Sequence, residues 1–403
     1  MDTIIYLSVI IQLALASYLW LPIILLIISF ILKPFRRSVS PVCRPGKSLK
    51  AYKFGIIITA HRETKFLPPI VDSILKQTYQ DFHVYIVADD CDIHDLHFTD
   101  ERVHLYKPEI ALNTNTRSIQ YAIDHFLPGT EVMVIFDPDN LLHPNFLEVM
   151  NNYYNAGYKA VQANLNPKSI SSIYEKMDNT GATFYSFVDR TARTALGLSV
   201  NMWGCGVSVV TEVYASIKYN DKSDMGGFDK HMQAEIVQHV PVIAYAPEAI
   251  FFDEKVSDAR NLELQRTRWI NAYFKFLPEG LKVMLTGIFS GNVNVAFFGY
   301  NLIRPPYFLE ILIALGFVII GFFTHQTMML FWIGSLFAFL ISFILITLLF
   351  TPGKSTSGLW YMPLFFFHQI RSILKINLNK RSILKTEHFK VLYIDDVILN
   401  SKT

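Results

Sequence analysis

The sequence of 403 residues has only 3 cysteines, and charged residues make up only 17% of it. Cys43, Cys91 and Cys205 lie far apart, and no CxxC pair or nearby histidine gives the spacing of a zinc site. This absence of a pattern predicts reduced thiols in a cytosolic compartment.

The chain also lacks a dense basic stripe, because its Lys and Arg residues are spread along the sequence and its net charge is only +2. Proteins that bind nucleic acid concentrate positive charge to neutralise phosphates. We therefore expect no nucleic-acid partner. The sequence contains no internal repeat and no low-complexity tract.

Apolar residues, in contrast, are abundant: they make up 51% of the chain and include 32 Phe, which exceeds what a soluble protein usually carries. The run from Ile4 to Leu32 contains no Lys or Arg and is long enough to span a bilayer. A signal peptide is the competing interpretation, but the positive charges of Lys33 and Arg36 follow the run instead of preceding it. We predict a transmembrane helix at 1–33, followed by a linker at 34–51 and a cytosolic region.

Two further apolar runs, Pro306 to Phe323 and Met328 to Phe350, predict a transmembrane hairpin at 306–350. Residues 279–305 mix aromatic and basic residues, which is typical of helices lying in the membrane interface, and 351–403 is expected to add another such helix and a basic cytosolic tail. Three crossings place the N-terminus outside. The expected location is a cell membrane, specifically a bacterial inner membrane, with membrane lipids as neighbours.

Between these regions, at 52–278, short β-branched runs that end in polar residues alternate with helical patterns. The runs are "KFGIIITAH", "FHVYIVADD" and "EVMVIFDPDN". This alternation predicts an α/β domain with a mostly parallel sheet and helices on both faces. Ligands of such sheets bind at the carboxyl ends of the strands, where each of these polar tips falls.

One strand tip, "FDPDN", places Asp137 and Asp139 on either side of Pro138. Carboxylates two residues apart can turn toward one point and bind Mg²⁺ or Mn²⁺ together with substrate phosphates. A turn whose side chains cap the following helix is an equally open interpretation of these residues alone.

Two other strand tips add polar groups, since "VADDCD" supplies Asp89 and "ITAHRE" supplies His61 and Glu63. Carboxylates at adjacent tips repel one another unless a cation or a hydrogen-bonding ligand lies among them. For each residue taken singly, a solvated loop or a helix cap remains the alternative.

The second half of the domain holds "WGCG", in which Trp203 offers a face for a sugar ring or belongs to the core. Asp229 precedes a helical run, as a helix cap also would. In "QRTRW", Gln265, Arg268 and Trp269 share one helix face, which offers groups suited to a diphosphate and a sugar.

Together these pieces resemble the membrane-integrated family 2 glycosyltransferases of the GT-A fold, the group that includes cellulose, hyaluronan and poly-N-acetylglucosamine synthases. The resemblance runs from about Lys53 to Phe276 and extends to the flanking membrane helices. It rests on the order of six motifs and the strand "VIAYAPEA". The motifs are "ITAHRE", "VADDCD", "FDPDN", "WGCG", "FDKH" and "QRTRW". The implied fold is a Rossmann-like GT-A domain in the cytosol, flanked by transmembrane helices.

The resemblance also implies a role for each site residue. It gives Asp229 as the general base and Asp137 and Asp139 as the metal motif. The residues implied to bind the nucleotide sugar are Glu63, Asp89, Asp137, Arg266 and Arg268, and those implied to bind the acceptor are Trp203, Gln265 and Trp269. The implied reaction is inverting transfer from a nucleotide sugar, with UDP the expected nucleotide, to a lipid-linked or polysaccharide acceptor, dependent on Mg²⁺ or Mn²⁺.

Two departures from the family's pattern support an alternative function. Phe228 stands where the family has Glu before the base, and "NTNTRS" offers only Arg117 where many members have a Gly-Lys pair. The alternative is an inactive membrane assembly protein that retains the fold. A transporter is a poorer alternative, because the predicted spans hold no charged residue except Glu310. With three predicted spans, the chain is expected to transfer the sugar to a lipid carrier, or to act together with a second copy of itself or an export partner.

Overall fold

The computed structural model describes residues 2–32, 49–219, 226–351, 353–376 and 389–402, and the predicted linker lies mostly outside these ranges. The strands are β1 (Phe54–His61), β2 (Phe82–Asp89), β3 (Val103–Tyr106), β4 (Val132–Phe136), β5 (Leu141–Leu142), β6 (Ala160–Pro167), β7 (Val207–Val210) and β8 (Ala244–Asp253). They form one sheet of 8 strands in the order β3-β2-β1-β4-β7-β6-β8-β5.

The first helices in chain order are α1, which precedes the sheet, and the helices that lie between its strands. They are α1 (Asp2–Leu32), α2 (Leu67–Leu75), α3 (Asn115–Asp124), α4 (Phe146–Asn155), α5 (Ile173–Ser186), a π-helical turn (Phe187–Thr191), α6 (Ala192–Ala195), α7 (Thr211–Ala215) and α8 (Phe228–His239). The C-terminal part holds α9 (Ala259–Phe289), α10 (Val293–Leu302), α11 (Tyr307–Thr324), α12 (Gln326–Phe350), a 3₁₀ helix (Gly353–Tyr361), α13 (Met362–Ile373) and α14 (Ile394–Lys402).

The sheet is mostly parallel, as predicted. Strands β1, β2, β3 and β4 run parallel, whereas β7 is antiparallel to both of its neighbours. Alternating side chains of β1 enter two different cores, with Ile56 and Ile58 on one face and Ile57 on the other. Helices α2 and α4 cover the first face, and α3, α8 and α10 cover the second. The fold is therefore the three-layer α/β arrangement of a GT-A domain.

Three helices are long and apolar enough to cross a membrane, namely Tyr6–Leu32, Tyr307–Thr324 and Gln326–Phe350. They match the three predicted apolar runs within a few residues. The sheet region packs on them, since Phe184 of α5 and Phe187 of the π-helical turn share a buried cluster with Leu19 of α1 and Trp332 of α12. The sheet region is thereby joined to the apolar helices by direct side-chain packing.

The predicted boundary at 278 falls inside helix α9, which continues through Pro278 to Phe289. Its second half forms a hairpin with α10, and Val283 and Val295 are buried in the same core as Ile57. The opposite side of this hairpin is apolar and open, with Phe289 85% and Val293 73% exposed. Residues 279–305 thus cover the sheet region on one side, and their interfacial location stays a prediction.

The strand β7 begins after Gly206, whose φ of +60° lies in the left-handed region. Its backbone N–H donates to the Ile135 carbonyl oxygen over 2.9 Å, which ties the loop to β4. A Cβ atom at this position would lie 2.2 Å from the ring of Phe251. Glycine is required here by both the backbone conformation and the space.

We predict that Gly206→Ala lowers the melting temperature of the purified protein much more than Gly197→Ala. Gly197 has a φ of +69°, and a Cβ atom added there would have no neighbouring atom within 4 Å. Its replacement by Ala therefore costs only the free energy of placing a side chain in the left-handed backbone region, about 1–2 kcal/mol. Replacement of Gly206 adds an overpacking penalty of about 1–3 kcal/mol. Equal shifts in thermal unfolding would contradict the close approach of Phe251.

Candidate active site

The carboxyl ends of three parallel strands meet at one edge of the sheet. His61 of β1 is in register with Asp89 of β2, and Ile58 of β1 is in register with Phe136 of β4. The polar residues that follow these strands therefore lie next to one another. This edge is where ligands bind in parallel α/β sheets.

Asp89 is buried at this edge and its carboxylate is fully engaged. Oδ1 accepts from the backbone N–H of Leu112 over 2.7 Å, and Oδ2 accepts from that of Asn113 over 2.8 Å. His61 Nδ1 lies 3.0 Å from Oδ2. Asp89 thus anchors the loop before α3, and its predicted contact with the nucleotide stays a prediction.

The outer part of the edge carries two ion pairs. Lys65 Nζ lies 2.7 Å from Glu63 Oε1, and Arg62 Nε donates to Asp90 Oδ2 over 2.7 Å. The hydrogen bond from Arg62 lowers the pKa of Asp90. Glu63 is partly buried beside the strand tips, and its predicted contact with the base or ribose stays a prediction.

Asp137 and Asp139 lie in a turn directly after β4. Asn140 N–H donates to the Asp137 carbonyl oxygen over 3.0 Å, and Asn140 Oδ1 accepts from Asp137 N–H over 3.2 Å. The following helix α4 is preceded by Asn145, so neither aspartate caps it. The turn interpretation is right for the backbone, and both side chains remain at the sheet edge, where Asp137 is exposed and Asp139 is 7% exposed.

A third carboxylate, Asp253 at the end of β8, faces this turn. Its Oδ1 lies 3.5 Å from Asn140 Nδ2, and its Oδ2 lies 3.6 Å from Lys255 Nζ. Asp253 was not predicted from the sequence. Its pattern is nevertheless the one that drew attention to Asp137, since an acidic residue stands at the end of the strand "AYAPEAIFF" as Asp137 stands after β4. Lys255 partly neutralises this carboxylate.

The buried thiol of Cys205 lies within the field of all three carboxylates. Burial raises its pKa most, and Asp137, Asp253 and Asp139 raise it further, so the thiol stays neutral. The donors grouped here are therefore carboxylate oxygens, which are the ligands that Mg²⁺ and Mn²⁺ prefer. The residues present fit a divalent cation.

The loop Trp203–Gly206 is held by one buried amide. Trp203 N–H donates to Gln162 Oε1 over 2.9 Å, and Gln162 Nε2 donates to the Cys205 carbonyl oxygen over 3.1 Å. A Cβ atom on Gly204 would lie 3.5 Å from Asp229 Cβ, so the loop runs directly beside that aspartate. Gln162 was not singled out from the sequence, because its partners are 41 and 43 residues away.

Asp229 lies in the first turn of α8. The N-cap of this helix is Gly227 with a φ of 81°, so Asp229 is not the cap and its carboxylate is free of that role. An acidic group in the first turn is stabilised by the helix dipole. Asp229 therefore presents a carboxylate beside the loop of Trp203.

Arg268 connects the two halves of the site. Burial lowers the pKa of its guanidinium, and the carboxylates of Asp137 and Asp229 both oppose this shift. A single partly buried cation thus lies within electrostatic reach of both aspartates. The structure brings the predicted metal motif, the predicted base and this arginine together.

Arg266, two residues earlier on α9, points elsewhere. It forms a buried ion pair with Asp178 of α5, and its guanidinium lies 4.0 Å from the centre of the Trp269 ring. Trp269 is 49% exposed, whereas Oε1 of Gln265 is buried with no hydrogen-bond partner in the described part of the chain. The acceptor roles predicted for Gln265 and Trp269 stay predictions, and the buried ion pair of Arg266 with Asp178 does not favour a nucleotide contact for that residue.

His231 fixes the helix that carries Asp229. Its Nδ1 lies 2.6 Å from Glu279 Oε1 of α9, and its Nε2 lies 2.9 Å from the Lys218 carbonyl oxygen. Both partners are acceptors, so the ring donates from both nitrogens only as an imidazolium. The hydrogen bond to Glu279 is the main cause that raises the pKa of His231, and Glu235 adds to it.

The family model for glycosyltransferase-like family 2 matches residues 52–272, more than half of the chain. The chain belongs to this family and is a glycosyltransferase, which confirms the predicted family and fold. None of the curated proteins matches the chain.

Several solved structures are similar to the chain at low identity. The mannosyltransferase PcManGT from Pyrobaculum calidifontis, in complex with GDP-Man and Mn²⁺, is 13% identical with a TM-score of 0.46, over 82% of this chain and 99% of that one. S. aureus TarS is 12% identical with a TM-score of 0.39, over 62% of this chain and 55% of that one. A TarS fragment of residues 1–349 has been solved with UDP, with the same identity and TM-score, over 62% of this chain and 90% of that one. The chain therefore spans about half the length of full TarS.

We predict that the stabilising effect of His231 depends on pH. The pKa of His231 is higher in the folded state than in the unfolded state, where it is about 6.5. The stabilisation that His231 adds to the folded state is therefore fully present below pH 6.5 and is lost as the pH rises through the folded-state pKa. The melting temperature of wild type should exceed that of His231→Gln most at about pH 5.5 and least at about pH 9.

His239→Gln is the matched control, because His239 is exposed and lies 3.9 Å from its partner Glu235. Its melting temperature should differ little from that of wild type at any pH. A pH-independent effect of His231→Gln would show that the ring is not held as an imidazolium.

Proposed function

We propose that the chain is a membrane-embedded inverting glycosyltransferase. It moves a sugar from a nucleotide sugar, with a UDP-sugar the expected donor, to a lipid-linked or polysaccharide acceptor at the cytoplasmic face of a membrane. The observation that carries this proposal is that Arg268 interacts electrostatically with both Asp137 and Asp229. Family membership and the three apolar helices support it.

The donor half of the site suits a leaving diphosphate. As the bond from the anomeric carbon to the diphosphate breaks, negative charge develops on the phosphate oxygens, and Arg268 is placed to stabilise it. Asp137 and Asp139, with Asp253 nearby, are the residues that would hold Mg²⁺ or Mn²⁺. Such a cation, when bound, supplies further neutralisation of the diphosphate.

The acceptor half needs a group that removes a proton. Asp229 takes the proton of the acceptor hydroxyl while its oxygen forms a bond to the anomeric carbon. The bond to the diphosphate breaks on the opposite side of that carbon, so the configuration inverts and the nucleoside diphosphate leaves with the bonding electrons. Trp203, Gln265 and Trp269 are the residues proposed to hold the acceptor.

We expect Asp229→Asn to lower turnover by about 10²–10⁴-fold while nucleotide binding persists. The experiment measures nucleoside diphosphate release by the detergent-solubilised protein from a panel of UDP- and GDP-sugars, with Mn²⁺, with Mg²⁺ and with EDTA. Asp124→Asn, an exposed residue of α3, makes the same chemical change away from the site and should retain activity.

Full activity of Asp229→Asn would contradict the base assignment, and undiminished activity in EDTA would contradict metal dependence. If no donor is turned over with native membrane lipids present, yet a nucleotide binds with metal, the assembly-protein alternative is favoured.

Replacing the two arginines of "QRTRW" should affect two different properties, namely stability for Arg266 and nucleotide binding for Arg268. Arg266→Gln breaks a buried ion pair, which costs about 3–5 kcal/mol, so it should lower the melting temperature while leaving nucleotide affinity unchanged at low temperature. Arg268→Gln should weaken binding of UDP with Mn²⁺ by about tenfold or more, since it removes a charged donor to phosphate.

Calorimetric titration and thermal unfolding of both variants test this separation. If Arg266→Gln proves to be the variant that loses nucleotide affinity, the donor side of the proposed site is wrong.

A further inference from the structure

Three side chains that can bind a metal ion come together between helices α8 and α9. His231 and Glu235 are four residues apart on α8, so they lie on the same face of that helix. Glu279 comes from α9. One ligand atom from each residue can be chosen so that all three lie within 4.8 Å of one another. An imidazole nitrogen and carboxylate oxygens are ligands that Zn²⁺ takes in proteins.

The ring of His231 is oriented as in a metal-binding histidine. Its Nε2 lies 2.9 Å from the Lys218 carbonyl oxygen, which only accepts hydrogen bonds, so Nε2 carries a proton. Nδ1 faces the carboxylates and lies 2.6 Å from Glu279 Oε1. Histidines that bind metals commonly donate from their other nitrogen to a backbone carbonyl, which fixes the ring. Nδ1 can therefore hold either a proton, which makes the ring an imidazolium, or a metal ion.

The charge of this group favours a divalent cation. A protonated His231 offsets only one of the two negative charges of Glu235 and Glu279, whereas a divalent cation offsets both. His239 Nε2 lies 3.9 Å from Glu235 Oε2, but this pair is exposed and weakened by solvent. His231 is 6% exposed, and both glutamates are only partly buried, so an ion can reach the group from solvent.

The distances are close to those that a bound ion requires. Zn²⁺ holds its nitrogen and oxygen ligands at about 2.0–2.2 Å, so two ligands of one ion are at most about 4.4 Å apart. A small rotation of a glutamate side chain is enough to reach this separation. The backbone is already in place, because a Cβ atom at Gly227, the N-cap of α8, would lie only 2.8 Å from Ala272 Cβ of α9.

We propose that His231, Glu235 and Glu279 form a second metal site, which takes Zn²⁺ or a transition-metal ion of similar ligand preference. The imidazole nitrogen favours such ions over Mg²⁺, whereas the carboxylates after β4 suit Mg²⁺ and Mn²⁺. The ion accepts the lone pair of Nδ1, and the proton that Nδ1 carried goes to solvent. The site does not depend on the proposed function.

The position of this site gives it a structural role. Helix α8 carries Asp229, and α9 carries Arg268. An ion held by ligands from both helices joins them directly. It thereby fixes the proposed base relative to the arginine that faces it.

Calorimetric titration of the full-length protein with ZnCl₂ in a maltoside detergent tests the site. His231→Gln and Glu279→Gln should each weaken zinc binding by about a hundredfold or more, because even the outer-shell partners of metal ligands contribute about 10–100-fold to affinity. Glu279→Gln keeps an oxygen that can accept from His231, so it disturbs the packing of the two helices least. His325→Gln is the matched control, since His325 is exposed between α11 and α12.

The same titration on Asp137→Asn protein separates this site from the carboxylates after β4. Zinc affinity at the proposed site should be unchanged in this variant, and excess Mg²⁺ should not displace the zinc. The X-ray absorption spectrum of zinc bound to Asp137→Asn protein should show an imidazole ligand, which is lost when His231→Gln is added.

UDP binding with Mn²⁺ reports whether the His231 and Glu279 variants are folded. Where His231→Gln does not fold, Glu279→Gln and the spectrum of zinc-loaded Asp137→Asn protein decide the question. Unchanged zinc affinity in the folded variants, or loss of all zinc binding in Asp137→Asn protein, would overturn the proposal. A zinc spectrum without an imidazole ligand would overturn it as well.

Discussion

Carboxylates gathered at one edge of a sheet repel one another unless hydrogen bonds or cations offset their charge. The parallel register of β1, β2 and β4 creates this situation. Two backbone N–H groups and His61 stabilise Asp89, and Arg268 lies within reach of Asp137 and Asp229. The position of the helix that carries Arg268 is therefore the condition on which the whole site depends.

That helix, α9, is held from its other side by contacts with the apolar region. Arg266 pairs with Asp178 of α5, and Glu263 accepts from His368 within α13 and from Lys375 just beyond its end. Because Phe184 of α5 packs on Phe339 and Phe343 of α12, a shift of α12 would move α5, and with it α9 and Arg268. Helices α5 and α9 therefore couple the packing of the apolar helices to the position of the charged groups in the site.

Local patterns predicted the strands, the apolar helices and the clustering of polar strand tips, because these follow from periodicity and from parallel topology. The sequence did not reveal contacts between distant residues. Gln162 holds the Trp203 loop from another strand, and the backbone donors of Asp89 lie in the loop before α3. Helical spacing grouped Gln265, Arg268 and Trp269, but it did not reveal that Arg266 forms an ion pair with Asp178 of α5. Helix α9 continues through Pro278 because buried neighbours, Phe276 and Gly280, hold both sides of it.

The most direct test is an experimental structure of the protein with UDP and Mn²⁺, with the ion located by its anomalous signal. The account predicts the ion at the carboxylates of Asp137 and Asp139 and the diphosphate beside Arg268, on the side of Asp229. A diphosphate bound at Arg266, or an ion remote from Asp137, would contradict it.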